Sequence, residues 1–124
     1  MHLLLQDTRV DPSAQNNDII VGASRYGHID VVEMLLQDSR VNPSDSDNLC
    51  IRWASGNGHL DVVELLLKDP RVDPSAIGNE SIRCASANGY DSVVKLLLND
   101  TRVDPSAGAV VLLSIQAKMV MLRL

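Results

Sequence analysis

Large aromatic side chains are nearly missing from this chain. Its 124 residues hold no Phe, two Tyr and one Trp. A thick core built around flat rings is thereby excluded. The apolar share is still 45%, and it consists mostly of Leu, Val, Ile and Ala, which suit thin layers of short helices. Cysteine is scarce too. Cys50 and Cys84 stand apart, without a CxxC or a Cys/His cluster. Neither a zinc site nor a disulfide framework is expected, and no cofactor or metal is. A reduced, intracellular, cytoplasmic setting follows. Positive charge is also in deficit, with 11 basic against 16 acidic residues and a net charge of −5. Without a basic stripe to neutralise phosphates, nucleic acid is excluded as the main partner. The same deficit argues against an anionic membrane. Long apolar runs are lacking as well. The start, Met1 to Asp7, has neither the charge nor the apolar length of a signal peptide. The run from Val110 is interrupted by Ser114, Gln116, Lys118 and Arg123, and it is too short and too polar to span a bilayer.

What the chain does have is repetition. The string Val-Asp/Asn-Pro-Ser begins at Val10, Val41, Val72 and Val103, a period of 31 residues. Cutting after each Ser divides a single domain, 1–124, into a half unit 1–13, full units 14–44, 45–75 and 76–106, and a divergent segment 107–124. Units two and three are identical at 18 of 31 positions without a gap, so they must share one local structure.

Each unit reads as two helices. The first opens at Asn17, Asn48 or Asn79, and Asn is a favoured N-cap. Ile20, Ile51 and Ile82 follow, and three residues on come Ala23, Ala54 and Ala85. That spacing puts both on one helical face. Gly27, Gly58 and Gly89 end the helix where a left-handed residue is needed. The second helix, as in Asp61-Val62-Val63-Glu64-Leu65-Leu66-Leu67-Lys68, is apolar on more than one stripe, so it is sandwiched between neighbours. Helices of about two turns are marginal alone. They persist by stacking unit on unit.

These residues resemble the ankyrin repeat. The resemblance is carried by the pattern A-S-x-x-G-H/Y-x-x-V-V-x-L-L-L, as in Ala54-Ser55-Gly56-Asn57-Gly58-His59 through Leu65-Leu66-Leu67, and covers residues 1 to about 106. The N-x-x-I-R-x-A-S opening and the R-V-D-P-S close look like a 31-residue subtype found in giant viruses of amoebae and in protists. The resemblance implies an all-α helical repeat solenoid and a non-enzymatic scaffold that binds a partner protein through its concave face. It departs from the family pattern in two ways. The usual Thr-Pro-Leu-His tetrapeptide is replaced, and the connector is shorter and contains Pro. A stiff connector with a short or absent finger hairpin is expected.

By position, the resemblance carries partner contacts onto Ala14, Gln15, Arg25 and Tyr26 in unit one. In unit two it points to Asp45, Ser46, Gly56 and Asn57, and in unit three to Ala76, Ile77, Ala87 and Asn88. These positions vary between units while the scaffold positions do not. Tyr26 and Arg25 stand out as residue types favoured at interface hot spots. Each also has a plainer reading, as a solvated surface residue.

Other recurring residues read as structure. Arg9, Arg40, Arg71 and Arg102 each follow an acid by two residues. Such a row could bind an anion or an acidic peptide, but each has an acid in reach in its own or the neighbouring unit, which favours structural pairing. Arg52 and Arg83 lack a counterpart at Val21, which favours a structural contact, such as to an acid of the adjacent connector. His28 and His59 read as packing and hydrogen-bonding residues, and the two Cys as small buried hydrophobes. No nucleophile motif, phosphate loop or catalytic set emerges. The segment after Val110 reads as one apolar helix on the third unit. Exposed apolar ends suggest self-association as an alternative function.

Overall fold

Helices this short last only against a neighbour, and in the computed structural model, which describes residues 14–107, they stack in register. The described residues form α1 (Ala14–Tyr26), α2 (Ile29–Leu36), α3 (Asp45–Gly56), α4 (Leu60–Leu67), α5 (Ala76–Ala87) and α6 (Asp91–Leu98). Each unit contributes one pair. The first helices form one layer, with α3 between α1 and α5, and α4 lies between α2 and α6 in the other. The fold is an all-α helical repeat. Among the described residues there is no strand, and the connectors are turns and bends. No finger hairpin separates α2 from α3 or α4 from α5. The half unit 1–13, the segment 108–124 and the Ala14 and Gln15 side chains lie outside what is described.

The interior repeats as the sequence does. Ile20, Ile51 and Ile82, with Ala23, Ala54 and Ala85, are buried between first helices. Val32, Val63 and Val94 and Leu35, Leu66 and Leu97 fill the second layer. Val41, Val72 and Val103 close each connector over it. Gly27, Gly58 and Gly89 take φ of 75°, 76° and 78°, the left-handed geometry that ends the first helix.

The Asn residues do something other than cap. Ser46, Asp47 and Asn48 form a left-handed turn with φ of 56°, 56° and 60°, and Ile77, Gly78 and Asn79 repeat it at 56°, 58° and 61°. Neither α3 nor α5 has a side-chain capping bond. Instead each Asn Oδ1 accepts a connector N–H 25 residues on: Asn17 from Asn42 at 2.9 Å, Asn48 from Asp73 at 2.8 Å and Asn79 from Asp104 at 3.0 Å. A connector without a strand partner needs an acceptor for that donor, and Asn tolerates the left-handed backbone. Arg52 and Arg83 hold the same turn from the other side. Their Nε atoms donate to Asp47 O and Gly78 O at 2.9 Å, and their Nη2 atoms to Ser46 O and Ile77 O at 3.0 Å. Arg52 also pairs with Glu80 at 3.3 Å. The acid it meets belongs to α5, not to a connector.

The arginine ladder is a bracket along the connectors. Arg71 Nε and Nη2 bond both oxygens of Asp69, at 3.1 and 2.8 Å, and Nη1 donates to Val41 O of the preceding unit at 2.9 Å. Arg102 repeats this on Asp100 and Val72, and Arg40 makes the same paired contact to Asp38. Hydrogen bonds from Arg40 lower the Asp38 carboxyl from its ordinary 3.8 to about 2. Asp69 and Asp100 are lowered by their own Arg, and Asp104 by Ser106. Carboxyls depressed in the folded state bind fewer protons than in the unfolded chain, so stability rises with pH through that window. The gain is complete above the ordinary value and is lost as pH falls toward the folded one. Unfolding midpoints should therefore fall between pH 4 and pH 2, the range bounded by these two values for Asp38. Arg71→Gln should show a shallower fall, because Asp69 then titrates nearer its unfolded value. An equal slope in both proteins would contradict the bracket.

One repeated feature works against stability. Ser24, Ser55 and Ser86 are fully buried, as is Ser81, and the hydroxyls of Ser55, Ser81 and Ser86 have no hydrogen-bond partner among the described residues. A buried hydroxyl left unpaired costs about 1–3 kcal/mol. Ser55→Ala and Ser86→Ala should each stabilise the fold by about 1 kcal/mol, since Ala also has the higher helix propensity. Urea unfolding midpoints would show it, and a loss of stability would refute it.

Candidate partner-binding surface

The surface is built at the C-terminal ends of the first helices, where carbonyls lack intrahelical partners. The next unit satisfies them. Asn57 Nδ2 donates to Arg25 O at 3.2 Å, His59 Nε2 shares that oxygen at 2.8 Å, and Asn88 Nδ2 donates to Gly56 O at 2.9 Å. The His59 ring lies against Gly27, and the Tyr90 ring against Gly58. These bonds lock the helix ends together and bring the side chains beside them into fixed relation. The expected packing and hydrogen-bonding role of His59 is realised. His28 is exposed and lies near Tyr26, with ring centroids 6.4 Å apart.

Arg25 reaches across the junction between units one and two. Its guanidinium carbon lies 4.3 Å from the centre of the Trp53 ring and 5.3 Å from that of Tyr26. Beyond it opens a shallow groove of about 350 Å³ lined by Trp53, Arg52, Glu80, Cys84 and Asn88, with Gly56 and Asn57 at its floor and side. A second depression of about 390 Å³ lies between Arg25, Tyr26, Asn57 and His59. Arg25 borders both. Tyr26 is 63% exposed even with Arg25 and His28 beside its ring.

Of the positions expected from sequence, Arg25, Tyr26, Gly56, Asn57 and Asn88 meet here. Ala87 is exposed at the end of α5 but lines neither depression. Asp45, Ser46 and Ile77 lie at the other end of the first helices. Asp45 is engaged by Asn17 Nδ2 at 2.8 Å and by the Ser46 N–H at 2.7 Å, and Ile77 presents an exposed side chain on the left-handed turn. Arg52, Trp53, Glu80 and Cys84 were not among the expected partner contacts. One signal in the sequence marks Trp53: its repeat equivalents are Gly22 and Cys84, so no packing rule common to the units requires a ring there. Cys50 is buried, and burial pushes its thiol up to about 11. Cys84 is only half-buried and sits in the groove wall.

The arrangement offers a cation, two rings and several amides. Residues 20–108 match the family model described as ankyrin repeats in three copies. The searches of curated proteins and of solved structures found no match. Ankyrin repeats are in general non-enzymatic modules for protein–protein interaction. With the paired helices in register and that match over most of its length, this chain belongs to the ankyrin repeat family.

Proposed function

We propose that the chain is a non-enzymatic scaffold that holds a partner protein against the face formed by its first helices. The observation behind this is the cluster of exposed Arg25 and Tyr26 with half-buried Trp53 beside an open groove. Tyr, Trp and Arg are the residue types most enriched among interface hot spots, and here they are held in place before any partner arrives. An intracellular, cytoplasmic setting in a host of a virus or in a protist is part of the same proposal.

The test is affinity capture from host cells by the wild-type chain and by a Tyr26→Ala plus Arg25→Ala variant, with quantitative mass spectrometry. A partner retained by the first and lost by the second supports the reading. Undiminished capture by the variant removes this face from consideration.

A further inference from the structure

We infer that the Arg25–Trp53 junction is a receptor for a carboxylate side chain of the partner protein, an Asp or Glu next to an apolar residue. The inference rests on the proposal above that this face binds a protein.

The first ground is where the repeat is broken. At the position of Arg25 the other units have Gly56 and Ala87. Tyr26 is matched by Asn57 and Asn88, and Trp53 by Gly22 and Cys84. Unit three, with Ala87, Asn88 and Cys84 at these places, stacks without any of the three side chains, so the repeat pattern itself does not call for them. They come from two units, yet they converge on one point.

The second ground is charge. Arg40, Arg52, Arg71 and Arg102 each contact a carboxylate within 4 Å, and Arg83 is bound to turn carbonyls. Among the described residues Arg25 has neither: its guanidinium meets only rings. The nearest acid lining the groove is Glu80, and Arg52 already holds it. The groove therefore carries one uncompensated positive charge in a chain whose net charge is −5.

The third ground is geometry. A guanidinium over an aromatic face keeps its N–H groups in the ring-facing plane, with their edge free for a bidentate carboxylate. The rings restrict the side chain before binding, so less rotamer freedom is lost on pairing. The exposed ring of Tyr26, at the edge of the second depression, gives an apolar neighbour of that carboxylate a surface to lie on.

The test uses a library of short random peptides, amidated at the C-terminus so that only side chains supply carboxylates, selected against the full chain. Binders should share an Asp or Glu. Changing that residue to Asn or Gln should weaken binding about tenfold, and Arg25→Gln should weaken the parent peptides about as much while leaving the amide peptides unchanged. Arg25→Lys should restore only part, because an ammonium lacks the planar fork. Arg25 is exposed, so thermal unfolding of the variants should match wild type. Peptides that need Tyr26 but carry no acid, and that ignore Arg25→Gln, would overturn the carboxylate receptor and leave the binding face standing. Peptides indifferent to Tyr26→Ala and Arg25→Gln alike, or no binders at all, would overturn both.

Discussion

Gly58→Ala is expected to cost about 2–4 kcal/mol, and Gly89→Ala only about 1–2 kcal/mol. Both residues have a left-handed backbone, with φ of 76° and 78°, so both pay the conformational penalty of a side chain there. At Gly58 the next unit adds a steric contact. A Cβ on Gly58 would lie 2.7 Å from the Tyr90 ring, whereas on Gly89 it would meet nothing within 4 Å among the described residues. The ring cannot simply rotate aside, because contact comes from its edge carbons near the backbone side as well as from Cζ. Gly27→Ala should resemble Gly58→Ala, since its Cβ would lie 2.5 Å from His59 Nδ1. Guanidinium unfolding of the three variants measures this order. Adding Tyr90→Ala to Gly58→Ala should recover the steric part and leave the conformational part, giving a coupling of about 1 kcal/mol or more. No recovery on adding Tyr90→Ala would show that the ring contact is not tight.

The second large effect concerns Asn48. Asn48→Ala should destabilise by about 2–4 kcal/mol, the sum of two separable losses. One is the acceptor for the Asp73 N–H, bonded at 2.8 Å. The other is tolerance of φ 60°. Asn48→Gly keeps the backbone freedom and deletes only the acceptor, so it should lose about 1–2 kcal/mol. If Asn48 were an N-cap of α3, the substitution by Gly would cost only a few tenths. Amide hydrogen exchange at Asp73 gives an independent reading: it should accelerate in both variants, and an unchanged rate would remove the clamp.

This pair of variants also marks where sequence reasoning reached its limit. The period, the paired helices and the glycine stops were legible because each rests on local rules: apolar spacing, helix length and the need for a left-handed residue. The buried Ile and Ala ladders followed directly. An Asn such as Asn48 before an apolar helical run signals either an N-cap or a left-handed residue, and only the position of the connector 25 residues on decides between them. The bracket formed by Arg71 was half legible. Its pairing with Asp69 is local, but its bond to Val41 O depends on how one connector lies over the last. The candidate surface was legible at Arg25 and Tyr26 and not at Trp53, which belongs to the following unit. Sequence shows that Trp53 departs from the repeat but not which departure it meets.

That meeting has a consequence for register. Both described junctions are closed by the same Asn-to-carbonyl bond, so a ligand that recognised only the shared scaffold could settle at one junction as well as the other, a unit's length up or down. Among the described residues the ring-bound cation lies only between units one and two, and it breaks this degeneracy. It gives an otherwise translationally repetitive surface an origin, and a partner that seeks it out has one place to sit.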